Sequence, residues 1–220
     1  MPDALPVLIP VNQLDRAKGR LAEMLDPAAR VRLFLATVRT VIGAANDAGM
    51  RPVVLTRDPR IASECGGIAT ILEEDRAVSG LNAQLESAIR RLGVLAPLPE
   101  LLILHADLPL ATGEALRELL AVAPPPPSVT LVCSPDGGTN AMLLRPPGRF
   151  ALAYGTGSFE RHREAARAAG VTVHEVSLQA LALDLDTPAD VARLMETPGG
   201  PETPAGDVLA SLGISREAPR

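Results

Sequence analysis

Cysteine, lysine and excess positive charge are all scarce in this sequence of 220 residues. The two cysteines, Cys65 and Cys133, stand far apart in unrelated apolar segments, a spacing that argues against a disulfide framework or a zinc site. The formal net charge is -5, so no basic excess exists to neutralise phosphates along a polymer. We therefore expect no binding to nucleic acid or to an acidic membrane, and any phosphate group that is bound should belong to a small molecule.

The sequence also lacks an apolar run long enough to cross a membrane, and its first residues carry no positive segment of the kind found in secretory signals. We therefore expect a cytoplasmic protein. The length suits one α/β domain, which we assign to residues 1–196. We expect the Pro/Gly-rich residues 197–220 to form a tail that is mobile or docked only on the surface.

The aliphatic run Leu101–Leu104 organises the chain, because it has no polar interruption and predicts a strand buried on both faces of a parallel sheet. Asp107 follows where that strand should end. Ligands of open α/β sheets bind outside the carboxyl ends of the strands, so this carboxylate lies where chemistry is expected. Taken alone, an aspartate that merely ends a strand before Pro109 is an equally good explanation.

Lys18 is the single lysine among 21 basic residues. It lies in residues 12–21, a loop after the predicted first strand at 5–11, where first βα loops commonly hold phosphate groups. With Arg16 and Arg20, this loop has three cations in five residues. A solvated loop is the alternative interpretation, but a compact ammonium and a guanidinium are not interchangeable at a phosphate.

Gly80 and Asn82 stand at the start of a predicted helix whose apolar residues recur at 81, 85, 88, 89 and 92. One interpretation is that Gly80 lets a nucleotide approach the backbone while Asn82 contacts it. Ser79 acting as an ordinary N-cap explains the same turn.

Thr139 follows Gly137 and Gly138, which join two predicted strands. The glycines satisfy a hairpin turn without any ligand. They would also let backbone N–H groups converge on an anion, with the threonine hydroxyl as a further donor.

Gly155 and Ser158 belong to a glycine loop that leads directly into a predicted helix over 160–169. Exposed N–H groups and the positive end of the helix dipole meet at such a point, which favours an anion. Ser158 as a simple cap is the alternative. His162, in the first turn of this helix, is by itself more typical of a surface residue than of a ligand.

Asp184 and Asp186 alternate with leucine over residues 180–186, which predicts a strand with the leucines on one face and both carboxylates on the other. Adjacent carboxylates repel each other unless a cation lies between them, and Mg²⁺ is commonly held by one or two carboxylates plus substrate phosphates. The alternative is that Asp186 or Thr187 caps a helix that begins at Pro188, which would explain Asp186 but leaves Asp184 unexplained.

Strands that alternate with helices predict a three-layer α/β/α fold with a mostly parallel mixed sheet. That fold would gather the cationic loop, the carboxylates Asp107, Asp184 and Asp186, and the two glycine-rich anion sites. Together these features favour nucleotidyl transfer, in which a phosphate oxygen of an acceptor attacks the α-phosphorus of a nucleoside triphosphate and pyrophosphate leaves.

The motifs, taken jointly and in order, are similar to those of one known family. The chain resembles the 2-phospholactate/phosphoenolpyruvate guanylyltransferases of coenzyme F-420 biosynthesis at residues 9–11, 17–21, 80–82, 106–110, 136–140, 155–159 and 184–188. The resemblance implies a nucleotide-diphospho-sugar-transferase-like, Rossmann-like fold, with GTP as the donor and Mg²⁺ as the cofactor. Asn12 and Gly19 depart from the lysine and serine that members often carry.

The same resemblance implies a role for each candidate residue. It assigns the metal to Asp107, Asp184 and Asp186, catalysis to Asp107 and Lys18, the phosphoenolpyruvate phosphate to Thr139, Gly155 and Ser158, and GTP to Lys18, Arg20, Gly80 and Asn82.

The arginine-rich composition is typical of bacteria, whose members of that family usually take phosphoenolpyruvate, so we expect this acceptor. The product would then be enolpyruvyl-2-diphospho-5'-guanosine, handed to the next biosynthetic transferase, and a homodimer is a further expectation. The same reaction on 2-phospholactate or 3-phosphoglycerate is an alternative, because these acids differ by few atoms.

Three other functions are compatible with parts of the pattern. A molybdenum-cofactor or sugar nucleotidyltransferase normally carries a glycine-rich first loop, which residues 12–20 are not. A glycosyltransferase could use Asp184 and Asp186 on a nucleotide-sugar metal without releasing pyrophosphate. A non-catalytic nucleotide-binding regulator would have no need for all three carboxylates.

Overall fold

A computed structural model describes residues 4–11, 14 and 18–214. Within these ranges, seven strands form one sheet: β1 (Pro6–Pro10), β2 (Arg51–Thr56), β3 (Thr70–Glu73), β4 (Leu101–Leu104), β5 (Ser128–Cys133), β6 (Thr139–Arg145) and β7 (Thr172–Glu175). The helices are α1 (Pro27–Asp47), α2 (Pro59–Cys65), α3 (Leu81–Leu95), α4 (Gly113–Ala121), α5 (Ser158–Ala168), α6 (Gln179–Ala182), α7 (Pro188–Glu196) and α8 (Pro204–Ser211). The loop residues Asn12 and Arg16 lie outside the described ranges.

The strand order is β3-β2-β1-β4-β6-β5-β7. Strands β1, β2, β3 and β4 pair in parallel, as do β5 and β7, whereas β6 runs antiparallel to both of its neighbours. The predicted mostly parallel mixed sheet is therefore confirmed. Because β6 runs antiparallel to β4, its first residue, Thr139, lies at the end of the sheet where β1 and β4 have their carboxyl ends. We call this end of the strands the sheet edge.

The sheet is covered on both faces, and the alternation of side chains along the central strands explains how. Leu102 and Leu104 of β4 pack in a core cluster with residues of α1, α2 and α4. Leu101 and Ile103 pack in the opposite cluster with α3. All four side chains are fully buried, which is why this strand reads as an unbroken aliphatic run.

Helix starts follow local signals where the cap has a side chain that can accept a hydrogen bond. Asp26 caps α1 by accepting the N–H of Ala29 at 2.7 Å, and Thr112 caps α4. Helix α3 begins differently. Gly80, with a backbone φ of 85°, is its N-cap and contributes no side-chain bond, so Ser79 is not the cap.

The predicted strand over 180–186 is wrong. Residues 179–182 form α6, and the chain then continues without pairing in the sheet. The alternation that suggested a strand is nevertheless present in the burial, since Leu181, Leu183 and Leu185 are buried while Asp184 and Asp186 are partly exposed. Alternation of apolar and acidic residues therefore shows that this extended segment has a buried side and a partly exposed side. It does not require that the segment pair with a neighbouring strand.

Residues 197–214, the described part of the predicted tail, also differ from the prediction, and residues 215–220 lie outside the described ranges. Helix α8 buries Ala205 and Leu209 completely, in a cluster with the first part of α1 and with α7. Its one glycine, Gly206, permits tight packing, because a Cβ there would lie 2.4 Å from the carbonyl oxygen of Gly200. Glycine and proline here shape a close turn and do not mark a mobile tail. None of the helices in the described ranges is both long and apolar enough to cross a bilayer.

Replacing Leu209 with alanine should lower the free energy of unfolding by about 2–4 kcal/mol, because it leaves a cavity in a fully buried cluster. The matched control is Leu95→Ala, since Leu95 is 79% exposed and its loss should change stability by less than about 0.5 kcal/mol. Urea denaturation of both variants measures the difference. Equal effects would show that α8 does not belong to the core.

Candidate functional site

A cavity of about 820 Å³ opens at the sheet edge where β1, β2 and β4 end. This edge includes the crevice between β1 and β4, where the strand order changes direction and where ligands of open α/β sheets bind. The wall contains most of the sequence-predicted site residues: Lys18, Gly80, Asp107, Thr139, Gly155, Ser158, Asp184 and Asp186.

Lys18 bridges two of the predicted carboxylates. Its ammonium donates to Asp107 Oδ2 at 3.0 Å and to Asp186 Oδ1 at 2.9 Å. The lysine side chain is only 2% exposed, and its backbone lies in the left-handed region at φ 54°, a conformation that costs a non-glycine residue of order 1 kcal/mol. Such strain persists only where the surroundings hold the residue in place, as the two carboxylates do here.

The charges of this cluster stabilise one another. Burial by itself would lower the pKa of Lys18, but Asp107 and Asp186 raise that pKa overall. Burial would likewise raise the pKa of Asp107, and the neighbouring ammonium lowers it overall. Lysine and aspartate are therefore both ionised at neutral pH.

Three hydrogen bonds hold the segment around Asp184 and Asp186 against β6 and the residue Asp107 that follows β4. The N–H of Leu185, between the two aspartates, donates to the carbonyl oxygen of Asp107 at 3.1 Å. The buried side-chain amide of Asn140, at the start of β6, donates to the carbonyl oxygens of Leu181 and Ala182 at 3.1 and 2.7 Å. Sequence reasoning assigned Asn140 no role, although it follows Thr139 within a recognised motif.

Helix capping does not explain Asp186. Thr187 is the N-cap of α7, and Asp190 completes a capping box by accepting the Thr187 N–H at 2.8 Å. The Asp186 carboxylate is therefore available to bind Lys18.

The described residues bring Asp107, Asp184 and Asp186 to one cavity but contain no group of three His, Cys, Asp or Glu side chains close enough to hold a metal ion. Two observations nonetheless fit a cation. Burial, followed by the Asp107 carboxylate, raises the pKa of Asp184 to about 6. Asp107 Oδ1 is buried and has no hydrogen-bond partner within the described ranges.

The Gly137-Gly138 segment is a turn and does not form the alternative anion site. The Gly137 N–H donates to the carbonyl oxygen of Ser134 at 3.0 Å, and the Gly138 N–H donates to Asp136 Oδ1 at 3.0 Å. Gly137 has a backbone φ of 82°, a conformation that favours glycine, so the turn itself accounts for this residue. What this segment offers the cavity is the hydroxyl of Thr139, which follows it.

Thr139 and Ser158 meet at the other end of the cavity, where their hydroxyl oxygens lie 3.2 Å apart. Ser158 is the first residue of α5. Two early N–H groups of this helix are already engaged, because Ser158 donates to Gly155 O at 3.0 Å and Phe159 donates to Gly137 O at 3.2 Å. The predicted anion site at this helix start therefore relies on side-chain hydroxyls more than on these amides.

Gly155 completes this end of the cavity with a backbone φ of 123°, which a residue with a side chain rarely adopts. A Cβ there would lie 3.2 Å from Arg161 Nη2. Arg161 thus places a cation beside the glycine loop, and sequence reasoning gave it no role.

The prediction that His162 lies on the surface is wrong. Its side chain is fully buried, with Nδ1 3.0 Å from Thr139 Oγ1 and Nε2 accepting the N–H of Ala153 at 2.9 Å. The ring also packs edge-on against Tyr154 at a centroid distance of 4.7 Å. A lone histidine in a polar helix turn carries no signal that would have revealed these contacts.

Asn82 connects the predicted nucleotide segment to the glycine loop. Its Oδ1 accepts the N–H of Tyr154 at 2.7 Å, and its Nδ2 donates to the Tyr154 carbonyl at 3.2 Å. Both polar atoms of the side chain are thus engaged with backbone, which disfavours the predicted direct contact with a nucleotide. Gly80 does line the cavity, and a Cβ there would meet nothing within 4 Å.

A sequence model of the family described as "Guanylyl transferase CofC like" matches residues 5–220. The chain belongs to this family. It is 42% identical over 199 residues to a phosphoenolpyruvate guanylyltransferase of Rubrobacter xylanophilus, with 88% of this chain and 94% of that protein covered. A 2-phospho-L-lactate guanylyltransferase of Haloarcula marismortui is 36% identical over 180 residues, covering 81% of this chain and 79% of that protein.

The fold has solved counterparts. A structure from Desulfovibrio desulfuricans G20, provisionally named a nucleotide-diphospho-sugar transferase, superposes with a TM-score of 0.78 over 94% of both chains at 14% identity. The predicted fold class is confirmed by this likeness. The match of the family through residue 220 also includes α8, which the sequence-based resemblance left out.

Arg20, the remaining predicted residue of this family member, is exposed. It borders a second, smaller cavity of about 260 Å³, together with Asp184, Asp186 and Arg193. The two cavities share Asp136, Asp184 and Asp186, so Arg20 lies near these carboxylates without lining the larger cavity.

Acid should destabilise the protein in part through His162. Burial, assisted by the charges of Arg161 and His105, lowers the pKa of this imidazole to about 4, while an unfolded histidine titrates near 6.5. The unfolded state therefore binds more protons below that pH, and the stability that neutral His162 contributes is lost as the pH falls from about 6.5 toward about 4.

Between pH 7 and pH 5, we expect the wild type to lose roughly 1–2 kcal/mol more unfolding free energy than His162→Gln. Urea denaturation at each pH measures this, and equal slopes would contradict it.

Proposed function

We propose that this protein transfers GMP from GTP to phosphoenolpyruvate and releases pyrophosphate, as a step of coenzyme F-420 biosynthesis. The observation that carries the proposal is the arrangement of one cavity, which has a lysine-bridged carboxylate cluster at one end and a hydroxyl-lined pocket with a nearby arginine at the other. Two anionic reactants would meet between these ends. Membership of a guanylyltransferase family supports this assignment.

The chemistry requires little proton transfer. A phosphate oxygen of the acceptor attacks the α-phosphorus of GTP, a new P–O bond forms, and the bond to the bridging oxygen of the β-phosphate breaks as pyrophosphate leaves. Positioning and neutralisation of charge are therefore the main contributions of the protein.

The acceptor phosphate would be held by the hydroxyls of Thr139 and Ser158 beside Gly155. These groups suit a phosphate because its oxygens accept hydrogen bonds, and because Arg161 lies beside the same loop. Phosphate held here would face the carboxylate cluster across a single cavity.

Lys18 would neutralise negative charge on the triphosphate while keeping Asp107 and Asp186 in place. Gly80 would allow the nucleotide to lie against the backbone, since nothing occupies the space beside its Cα. Arg20 borders the smaller cavity beside the aspartates, where it could meet the terminal phosphates.

Asp107, Asp184 and Asp186 would hold Mg²⁺ together with oxygens of the triphosphate, because these three carboxylates are not close enough to one another to form a complete site by themselves. The unpartnered Oδ1 of Asp107 and the raised pKa of Asp184 are the observations that support such a site. The bound ion would supply charge neutralisation at the triphosphate and the leaving pyrophosphate.

The acceptor is assigned from the similarity of this chain to two relatives that are named for different acids. The relative from Rubrobacter is named for phosphoenolpyruvate and is more similar to this chain than the archaeal relative named for 2-phospho-L-lactate. Both acids carry one phosphate next to a carboxylate, so the hydroxyl-lined pocket accommodates either class.

The direct test measures pyrophosphate release with Mg²⁺ for each of four nucleotides, ATP, GTP, CTP and UTP, against phosphoenolpyruvate, 2-phospholactate and 3-phosphoglycerate. We expect turnover with GTP and phosphoenolpyruvate above every other pair. Turnover with another pair would correct the substrates, and no turnover with any pair would favour a nucleotide-binding regulator.

Asp107→Asn and Lys18→Met should each reduce kcat/KM for GTP by at least about a hundredfold, because each removes a preorganised charge from the site. Asp207→Asn, a change at an exposed aspartate on α8, is the matched control and should leave kcat/KM unchanged. Circular dichroism and thermal melting establish that the variants remain folded. A folded Asp107→Asn protein with full activity would remove this carboxylate from the mechanism.

A further inference from the structure

Three buried side chains form a continuous hydrogen-bonded group at the acceptor end of the cavity. Thr139, Ser158 and His162 are each at most 2% exposed, and only the two hydroxyl residues line the cavity. His162 stands behind them, with Nδ1 3.0 Å from Thr139 Oγ1. The imidazole therefore touches the phosphate-binding hydroxyls without facing a substrate.

The other ring nitrogen, Nε2, shows whether Nδ1 donates or accepts the hydrogen bond with Thr139. Nε2 of His162 accepts the backbone N–H of Ala153 at 2.9 Å, and a nitrogen that accepts a hydrogen bond carries no proton. A neutral imidazole keeps one proton, so it must be on Nδ1. Burial keeps the ring neutral by lowering its pKa to about 4.

His162 must then donate its Nδ1 proton to Thr139. A count of the hydroxyl protons shows how many remain available to a ligand. The hydroxyls of Thr139 and Ser158 carry two protons, and their mutual hydrogen bond at 3.2 Å uses at most one. Because His162 accepts neither proton, at least one hydroxyl proton remains for a ligand in the cavity. In the opposite tautomer, Nδ1 would accept the Thr139 proton, and the pair would offer the ligand one donor fewer.

The ring is also prevented from turning over. Tyr154 packs against His162 edge-on at 4.7 Å with an interplanar angle of 71°, and the Tyr154 backbone is held in turn by the Asn82 amide. Rotation of the ring by 180° would break both nitrogen contacts in a site without exposure to water.

We propose that His162 is a positioning residue whose Nδ1–H, by donating to Thr139 Oγ1 as the Ser158 hydroxyl also does, leaves the Thr139 proton free to be donated to the acceptor's phosphate. This inference rests on the proposed function in one respect, namely that the acceptor phosphate binds at these hydroxyls. An ionised phosphate has only accepting oxygens, so a pocket that presents a lone pair in place of an O–H would bind it more weakly.

The tautomer can be measured without any activity. Long-range ¹H–¹⁵N NMR spectra of protein labelled with ¹⁵N-histidine distinguish protonated from unprotonated ring nitrogens, and the chain has three histidines to assign. The signals lost in His162→Gln identify this residue. We expect Nδ1 protonated and Nε2 unprotonated at neutral pH, whereas a protonated Nε2 would overturn the inference.

Two substitutions then separate the hydrogen bond from the bulk of the ring. His162→Phe retains the ring but removes the donor, and we expect KM for phosphoenolpyruvate to rise about tenfold, the effect of one hydrogen bond to a charged group. KM for GTP should stay unchanged.

His162→Asn restores an N–H donor near the position of Nδ1, so its KM for phosphoenolpyruvate should return most of the way to that of the wild type. His174→Phe, on β7 away from the cavity lining, is the control and should leave both constants unchanged.

Binding of inorganic phosphate, followed by ³¹P NMR, keeps the test independent of turnover. Weaker phosphate binding by His162→Phe than by the wild type supports the positioning role of His162. It does so even if no pair of nucleotide and acceptor reacts, because absence of turnover counts only against the proposed function. Equal phosphate binding and equal KM for the acceptor in the wild type, His162→Phe and His162→Asn would overturn the positioning role.

Discussion

The ammonium of Lys18, held between Asp107 and Asp186, is the interaction on which the rest of the site depends. It joins segments that are 89 and 168 residues from the lysine along the chain. A buried charge is tolerated only when it is paired, so the Lys18 ammonium requires these carboxylates, and the largely buried Asp107 carboxylate requires the ammonium. The first loop, the end of β4 and the segment before α7 are consequently brought together at one sheet edge, and a strained backbone at Lys18 is accepted.

The reversed strand β6 connects this cluster to the other end of the cavity. Because β6 runs antiparallel to β4, its first residues lie at the edge where the parallel strands end. Thr139 presents its hydroxyl to the cavity, while the next residue, Asn140, holds the chain that leads to Asp184. Side chains of adjacent strand residues point to opposite sides, so one short segment serves both ends of the site.

Much of the fold could be predicted because its signals are local. The aliphatic run of β4 and the Asp26-Pro27 cap of α1 depend on neighbouring residues alone. The errors have physical reasons too. Alternating burial around Leu183 needs no paired strand, and Gly206 permits close packing where composition suggested mobility. His162 was misjudged because nothing in its local sequence indicates what lies behind α5.

The sequence by itself determined the kind of chemistry, since the carboxylates, the single lysine and the glycine loops are residue types that can be recognised in order. Only the tertiary structure decided the partner of each polar group. Asn82 pairs with the backbone of Tyr154, 72 residues away, and His162 pairs with Thr139, 23 residues away. Such hydrogen bonds form between groups that the fold brings into contact and that are then shielded from water. Their geometry therefore follows from packing across the whole domain and has no counterpart in any local pattern.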